Sequence, residues 1–357
     1  MAKVPTRLGL LRAKIKRLRA DSFLILARSN LRYITGFTGE DSAAVVTPDE
    51  TILFTDGRFR DQAAEECPAV RVVLRPKGMT EALAAEAKRL RLRRIAFASS
   101  SIMLSFYQRL KELLGPRRLL AAKDIILNLR MVKDEGEVEA IIGALRVSEK
   151  AFMEVRIGGT EKETAWRLEN RMRVLGAESE AFETIAAAGE RAALPHARPT
   201  DQRITGREAL LIDWGARVGG YNSDLTRVWA PRKIPSEWGR IYRVVSDAAV
   251  KAVEALKPGV SARDVDSIAR RHIEKAGYGK AFLHSLGHGV GLDVHELPGI
   301  GPYSRHKLLP GMVVTIEPGI YLAGKFGIRI EDMFLITAHG AKKLSTLSRR
   351  AETWRLS

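Results

Sequence analysis

The chain of 357 residues has one cysteine, few aromatic residues and no long apolar run. Cys67 has no second cysteine with which to pair, so an internal disulfide is excluded and nothing indicates an oxidising compartment. No apolar stretch approaches the roughly 18 residues of a membrane span. The basic N-terminus is not followed by the apolar block of a secretory signal. We therefore expect a cytoplasmic protein rather than a disulfide-stapled or membrane-spanning one.

Acidic residues are also in deficit. The chain has 59 Lys and Arg against 42 Asp and Glu, a net charge of +17, and residues 1–125 alone carry 24 basic and 13 acidic residues. A basic balance can favour nucleic acid or acidic membrane surfaces. No RNP-like aromatic run, zinc-finger spacing or KH pattern accompanies it, and a solvated Arg-rich surface is the alternative explanation. We expect neither nucleic acid nor a membrane as a partner.

The sequence does contain the pattern of two globular domains. Apolar residues make up 45% of the chain and charged residues 28%, which is ordinary for a soluble protein with a sizeable core. The first third alternates strand-like and helix-like stretches, which predicts an α/β domain. The remainder begins with helices and continues with strand pairs around glycine turns, which predicts an α+β domain with a curved antiparallel sheet. We place the two domains at residues 1–127 and 128–357.

One strand pair of the second domain carries two aspartates. Asp213 and Asp224 would lie directly opposite each other in a hairpin that folds between Val218 and Gly219. Opposed residues on one face of a sheet have Cβ atoms about 4.5–5.5 Å apart. This register therefore predicts two adjacent carboxylates.

A second strand pair carries two glutamates. Glu317 and Glu331 would lie opposite each other in a hairpin that folds at Gly324. Like charges so placed repel unless a proton or a cation intervenes, and the flanking residues are apolar. A multivalent cation would explain both pairs, whereas two unrelated surface hairpins are the alternative.

Histidines strengthen the cation hypothesis. Three of the seven histidines, His284, His288 and His295, fall within twelve residues, and glycines surround His288. These glycines lack the strand–loop–helix context and the lysine of a phosphate-binding loop. Four carboxylates and one imidazole, without a thiolate, suit two Mn, Co, Fe or Zn ions better than copper or an iron–sulfur cluster. Two such ions can turn a shared water into hydroxide near neutral pH, so the pattern predicts metal-assisted hydrolysis.

These motifs resemble those of the pita-bread-fold metallopeptidases, which include methionine aminopeptidase, aminopeptidase P and prolidase. The resemblance rests on I-D-W-G-A, G-Y-N-S-D-L-T-R, G-H-G-V-G-L-D-V-H-E, I-E-P-G-I-Y and I-R-I-E-D. The motifs N-L-R-Y-I-T-G-F-T-G and L-F-T-D-G-R-F resemble the creatinase/prolidase N-terminal domain. Such a long N-terminal domain disfavours methionine aminopeptidase and favours the branch that cleaves Xaa-Pro bonds.

The resemblance implies a set of metal ligands for two divalent ions, with Mn favoured and Co, Zn or Fe as alternatives. Asp213 and Glu331 would each contact both ions, Asp224 would hold one, and His288 and Glu317 would hold the other. Glu317 would also handle the proton of the attacking water.

The resemblance also implies roles around the metals. His196 would steady the tetrahedral intermediate or the leaving group, and His295 would lie near the scissile carbonyl. His284 would line the proline-side pocket. Arg329, with Tyr321 beside it, would contact the substrate or pair with Asp332 or a metal-binding carboxylate.

Three functions follow as hypotheses. The sequence favours an aminopeptidase P type enzyme that acts on Xaa-Pro peptides, and a prolidase that acts on Xaa-Pro dipeptides is the alternative. A non-catalytic pita-bread protein that binds partners or RNA is the third. The resemblance implies a homodimer or a higher homo-oligomer, and Glu190-Arg191, which departs from the family pattern, predicts an altered rim of the substrate pocket.

Overall fold

The structure is a computed structural model that describes residues 6–115, 118–123 and 125–349. Contacts between Cα atoms divide the chain into two compact units, residues 1–130 and residues 131–357. In the described ranges, no helix combines the length and the apolar character that crossing a membrane requires.

The described part of the first unit combines helices with one six-stranded sheet. The helices are α1 (Arg7–Arg17), α2 (Arg28–Thr35), α3 (Arg60–Glu66), α4 (Met79–Arg89), α5 (Leu104–Leu114) and α6 (Ile125–Arg130). The strands are β1 (Ser22–Ile25), β2 (Ala43–Val46), β3 (Thr51–Thr55), β4 (Arg71–Leu74), β5 (Ile95–Ala98) and β6 (Leu119–Ala122).

The sheet of the first unit is mixed, with the strand order β4-β3-β2-β1-β5-β6. Strand β2 runs antiparallel to β1 and β3, whereas β3–β4, β1–β5 and β5–β6 are parallel pairs. Apolar residues of α4 and α5, including Leu83 and Leu110, pack with Phe54 of the sheet in one core. The predicted α/β class of this domain is confirmed.

The one thiol of the chain belongs to this unit. Cys67 follows α3, is 3% exposed, and donates its Sγ–H to the carbonyl of Thr35 at 3.2 Å. Burial raises the pKa of this thiol. The raised pKa keeps Cys67 in the protonated, unreactive form.

The second unit has helices and short antiparallel strands. The helices are α7 (Glu135–Glu154), α8 (Glu161–Val174), α9 (Ser236–Glu254) and α10 (Ala262–Lys275). The strands of its first half are β7 (Gly159–Thr160), β8 (Ser179–Glu180), β9 (Ile185–Ala188), β10 (Arg203–Ile204), β11 (Leu210–Trp214), β12 (Ala216–Val218), β13 (Tyr221–Asn222) and β14 (Leu225–Trp229). The strands of its second half are β15 (Gly287–Gly289), β16 (Glu296–Ile300), β17 (Val313–Ile316), β18 (Gly319–Leu322), β19 (Phe326–Arg329), β20 (Asp332–Ile336) and β21 (Ala341–Lys343).

Capping boxes start the first two helices of this unit. The side chains of Asp134 and Glu137 bond reciprocally to backbone N–H groups at the start of α7, and Thr160 and Glu163 do the same for α8. Each box satisfies two backbone donors that the first helical turn leaves without partners. These residues fix where the two helices begin.

Two antiparallel sheets meet in the second unit. Their strand orders are β14-β11-β9 and β16-β15-β17-β20-β21, and a single bridge between Thr226 and Glu331 joins them. Val314 and Ile316 of β17 belong to the core that α9 and α10 also form. Because side chains alternate along a strand, Thr315 lies on the opposite face, away from that core. This arrangement matches the predicted α+β class.

The predicted register is correct for one hairpin and wrong for the other. In β18–β19, Tyr321 pairs with Gly327 around Gly324, as the glutamate pair required, and the same register continues in β17–β20. Asp213, however, pairs with Thr226 rather than with Asp224. The turn of that hairpin lies at Gly219 and Gly220, which both adopt positive φ, 57° and 78°.

Candidate metal centre in the second unit

A cavity of about 590 Å³ lies in the second unit. All but one of the predicted site residues line it. They are His196, Asp213, Asp224, His284, His288, His295, Glu317, Arg329 and Glu331. The exception is Tyr321, which contacts two of them. The fold therefore gathers residues that span more than a hundred positions of the chain.

Strand ends position the four carboxylates. Asp213 is the second-last residue of β11, and Asp224 directly precedes β14. Glu317 directly follows β17, and Glu331 directly precedes β20. The backbone N–H of Glu331 donates to the carbonyl of Thr226 at 3.2 Å, which brings the two sheets together at this point.

Glycines allow His288 to lie among these carboxylates. A Cβ at Gly287 would approach the carbonyl oxygen of Thr315 to 2.1 Å, and one at Gly289 would approach that of Leu297 to 2.2 Å. Both contacts are with backbone atoms, so only glycine fits. The imidazole Nδ1–H of His288 donates to the carbonyl of Gly289 at 3.1 Å, which leaves the lone pair of Nε2 free to bind a cation.

The ring of His288 faces two of the acidic residues. Its Nε2 lies 3.5 Å from Oδ2 of Asp224 and 3.4 Å from Oε1 of Glu317. Burial, together with the nearby ring of His295, lowers the pKa of His288 to about 3. The imidazole is therefore neutral near pH 7 and is a ligand rather than a counter-charge for the carboxylates.

Burial also dominates the ionisation of the carboxylates. It raises the pKa of Asp224 and Glu331 well above the usual values, and the neighbouring carboxylates raise both further. Burial raises the pKa of Glu317 to about 8. Without a cation, the cavity thus disfavours the anionic forms that carboxylates normally adopt near pH 7.

The donor atoms fit a divalent metal. Oδ1 of Asp213 and Oε1 of Glu331 are buried and have no hydrogen-bond partner, a costly arrangement unless another group satisfies them. One donor atom each of Asp224, His288 and Glu331 lie within 4.8 Å of one another. Carboxylate oxygens with one imidazole nitrogen are the ligands that borderline-hard divalent ions accept.

Two threonines, which the sequence analysis missed, orient the glutamates. Thr226 Oγ1 donates to Oε2 of Glu331 at 2.7 Å, and Thr315 Oγ1 donates to Oε1 of Glu317 at 3.3 Å. Thr315 Oγ1 also accepts the backbone N–H of His288 at 3.1 Å. Thr315 precedes Glu317 by two positions, so the two-residue period of a strand could have identified it.

Arg329 is a buried hub of this site. Its Nη2 donates to Oδ2 of Asp213 at 2.5 Å, and its Nε donates to Oγ1 of Thr226 at 3.1 Å. Its Nη1 donates to the hydroxyl of Tyr321 at 2.7 Å and to the carbonyl of Pro195 at 3.2 Å. Of the two pairings considered for Arg329, the structure has the one with a candidate metal ligand. Asp332 instead pairs with Arg227, at 2.8 Å.

A hydrogen-bonded chain continues from Arg329. The hydroxyl of Tyr321 lies 2.8 Å from Nε2 of His284, and Nδ1 of His284 lies 2.7 Å from the carbonyl of Ser285. Because that carbonyl can only accept, Nδ1 carries the proton, and Tyr321 donates to Nε2. Burial and the positive charge of Arg329 lower the pKa of His284 to about 4, so its ring is neutral near pH 7.

The other two histidines enter the cavity from loops. The ring of His295 lies edge-on to that of His288, with centroids 4.3 Å apart. His196 lies in the loop between β9 and β10 and is exposed. Neither Glu190 nor Arg191 is among the residues that line the cavity, so neither forms its wall directly. Arg191 pairs instead with the buried Glu161 at 3.0 Å.

Two family descriptions match the chain. The one described as metallopeptidase family M24 covers residues 139–338, and the one described as the creatinase/prolidase N-terminal domain covers residues 7–132. Together they extend over both compact units.

Named relatives agree with these families. An Xaa-Pro dipeptidase of Pyrococcus furiosus is 43% identical over 253 residues, which are 70% of this chain and 73% of that protein. The structure of an Xaa-Pro dipeptidase from Bacillus anthracis superposes with a TM-score of 0.92 at 31% identity, covering 96% of this chain and 98% of the other. The structure of an X-Pro aminopeptidase from Thermotoga maritima superposes with a TM-score of 0.86 at 39% identity, covering 94% of this chain and 99% of the other.

Proposed function

The chain belongs to metallopeptidase family M24, and we propose that it hydrolyses Xaa-Pro dipeptides into a free amino acid and proline. The observation that supports this most strongly is the convergence of four carboxylates and one neutral imidazole on a single cavity. A binding protein would have no need of so costly a cluster, and the family is one of hydrolases, which disfavours the non-catalytic hypothesis.

The dipeptidase replaces the aminopeptidase as the leading reading. The two activities differ in whether the pocket is open or closed beyond the proline, and sequence motifs do not reveal this. The relatives named as Xaa-Pro dipeptidases, at 43% identity in one case and a TM-score of 0.92 in the other, support the dipeptidase better.

We propose that the cavity holds two divalent ions, most readily Mn, through Asp213, Asp224, His288, Glu317 and Glu331. The unpaired buried oxygens of Asp213 and Glu331 support this set. When bound, such ions polarise a carbonyl and lower the pKa of water. This chemistry suits a bond to proline, because the bond has no N–H for a peptidase to recognise.

The protein residues divide the remaining tasks. The carboxylate of Glu317 accepts the proton of the attacking water, and Thr315 holds that carboxylate by a hydrogen bond. His196 and His295 donate hydrogen bonds to the developing oxyanion and to the leaving nitrogen. Arg329 fixes Asp213 in place, and through Tyr321 it sets the tautomer of His284.

An aminopeptidase that removes the residue before proline from longer peptides is the second candidate. The similarity to the X-Pro aminopeptidase of Thermotoga maritima, at 39% identity, favours it. The two activities differ only in whether the substrate ends at proline or continues beyond it. Cleavage rates of substrates of different length therefore distinguish them.

The experiment that tests the proposal measures hydrolysis of Ala-Pro and of Ala-Pro-Ala by Mn-loaded protein, with chelator-treated protein as the control. We expect chelator-sensitive cleavage of Ala-Pro. Cleavage of the tripeptide alone would establish the aminopeptidase instead, and cleavage of neither would overturn both.

Asp213→Asn supplies a matched inactive variant. It keeps the size of the side chain but removes the charge that holds a cation, so we expect both the metal content and the activity to fall. Asp201→Asn is the control, because Asp201 is a surface residue paired with Lys162. An Asp213→Asn protein with full metal content would contradict the proposed ligand set.

We also propose that the protein forms a homodimer or a higher homo-oligomer, as the resemblance of its motifs to the family implies. Sedimentation equilibrium of the full chain tests this. A mass of one chain at micromolar concentration would contradict it.

A further inference from the structure

The dipeptide proposed as substrate ends in a carboxylate one residue beyond the bond that is cut. One residue spans about 3.5 Å, so the group that binds this carboxylate must line the same cavity as the catalytic residues. Charged donors bind carboxylates more strongly than neutral ones. The candidates for binding the substrate carboxylate are therefore the permanently cationic side chains that line the cavity.

Two arginines line the cavity within the described part of the chain, Arg198 and Arg329. Arg329 already donates to four acceptors, and its side chain is 4% exposed. Turning it toward a substrate would leave Asp213 without its buried partner, which is strongly unfavourable. Arg329 is thus committed to the protein itself.

Arg198 is available. Its side chain is 83% exposed, and its Nε lies 3.2 Å from Oε2 of Glu183, which is also exposed and also lines the cavity. Exposed ion pairs of this kind are weak. A substrate carboxylate can therefore displace Glu183 from the guanidinium at little cost.

The main chain that carries Arg198 is held on both sides. Before it in sequence, Arg191 donates from Nη2 to the carbonyl of Arg198 at 2.5 Å and from Nε to the buried carboxylate of Glu161 at 3.0 Å. After it, Thr200 donates to the same carboxylate from its N–H at 2.9 Å and from Oγ1 at 2.7 Å. A fixed backbone reduces the entropy lost when the side chain binds a ligand.

We propose that Arg198 binds the C-terminal carboxylate of the dipeptide, and that Glu183 pairs with Arg198 when no substrate is bound. The inference rests on the proposed function and deepens it. It makes Arg198 the residue that favours dipeptides over longer peptides, since a longer peptide has a neutral amide at this position. It also assigns a role to Glu161 and Arg191, which hold the backbone of Arg198 in place. Their sequence positions did not indicate this role.

The test compares Ala-Pro with Ala-Pro-NH2, which lacks only the carboxylate charge. For the Mn-loaded wild type we expect kcat/KM to be about tenfold higher for Ala-Pro, the order of magnitude of one charge-assisted hydrogen bond at an exposed position. In Arg198→Ala this ratio should fall toward one, mainly through a higher KM for Ala-Pro. Arg198→Lys should restore part of it.

Glu183→Gln tests the second half of the proposal. Removing the competing carboxylate should lower the KM for Ala-Pro about two- to threefold, an effect of the size expected for an exposed ion pair. Raising the ionic strength should raise this KM in the wild type but not in Arg198→Ala. Arg263→Ala is the matched control, because Arg263 is an exposed arginine of α10 outside the cavity lining.

The outcomes separate the two levels of the argument. If the wild type cleaves both compounds equally well, or if Arg198→Ala keeps the wild-type ratio, the role of Arg198 is wrong while Xaa-Pro hydrolysis stands. An equal loss on both substrates with intact metal content would assign Arg198 a general structural role instead. Cleavage of neither compound by the wild type would overturn the proposed function itself.

Discussion

At the scale of the residue, the two neighbouring imidazoles of His288 and His295 have different surroundings. Nδ1 of His288 is fixed by the carbonyl of Gly289, and Nε2 faces two carboxylates. His295 lies edge-on to this ring and is less deeply buried, and burial lowers its pKa. We propose that the ring of His288 holds a cation and that the ring of His295 contacts the substrate bound to that cation.

Replacing His295 should separate these two roles. We expect His295→Ala to keep the full metal content but to reduce kcat about 100-fold, the loss typical of one hydrogen-bond donor to an oxyanion. Elemental analysis and steady-state kinetics measure the two quantities, with His339→Ala, an exposed turn residue, as the control. Loss of metal from His295→Ala would place the residue among the ligands.

The raised pKa values of the carboxylates predict how the metal-free protein depends on pH. The pKa of Glu317 in the folded state is about 8, and those of Asp224 and Glu331 are also raised. A raised pKa stabilises the fold below the unfolded-state value, and this contribution is lost as the pH rises through the folded-state value. The Tm of chelated protein should therefore fall as the pH rises from about 5 past 8.

Metal should reverse this trend, because binding requires the carboxylates to release their protons. Adding Mn to metal-free protein in weakly buffered solution at pH 7 should release protons, and the Tm of the loaded protein should no longer fall between pH 5 and 8. A Tm of the chelated protein that rises over this range would contradict the predicted sign.

At the scale of the element, the loop between β9 and β10 depends on one buried carboxylate. Glu161, at the start of α8 and 0% exposed, accepts from the N–H of Ala188 at 2.8 Å as well as from Arg191 and Thr200. Helix α8 thereby fixes both ends of the loop that carries His196. The loop is long, but its backbone is anchored.

Glu161→Gln should loosen this loop without touching the candidate ligands. The amide would present an NH2 group to donors, so we expect a loss of about 2 kcal/mol and a Tm lower by about 4–8 °C. The kcat should fall because His196 is displaced, while the metal content stays unchanged. Calorimetry and kinetics measure this, with Glu139→Gln on the exposed face of α7 as the control. Unchanged kcat would show that the loop does not need this anchor.

The two carboxylate hairpins show how far the sequence predicts an element. The glutamate register was readable because one glycine, Gly324, lies at the centre of the turn with φ +70°. The aspartate hairpin has two adjacent glycines, Gly219 and Gly220, and either could be central. The resulting error was two residues in register, which keeps every side chain on its face, so both aspartates still reach the cavity.

At the scale of the whole molecule, every candidate metal ligand lies in the second of the two compact units. Ligands stabilise only the folded region that binds them, by about 2.7 kcal/mol at a hundredfold excess over Kd. In calorimetry of the full chain we expect chelation to lower one unfolding transition by about 5–10 °C and to leave the other unchanged. Equal shifts of all transitions would contradict this prediction.

The two fold classes could be predicted from sequence because strand and helix periods alternate in one part of the chain and are segregated in the other. The strand order of the first unit could not be predicted from the sequence. Its second and third strands form local antiparallel pairs, but β1 pairs in parallel with β5, some seventy positions away. Local sequence patterns do not identify a strand partner that is so distant in the chain. They also do not reveal that Glu161 and Arg191 hold the backbone of Arg198.

The burial of Cys67 has a practical consequence. The one thiol of the chain is buried, donates to the carbonyl of Thr35 and has a raised pKa. We therefore expect the folded protein to tolerate air without added thiol reductants, which bind divalent ions. A thiol-reactive dye would attach only when the first unit opens. The rate of dye labelling therefore measures opening of the first unit alone. In the same sample, the rate of substrate turnover measures the integrity of the second unit.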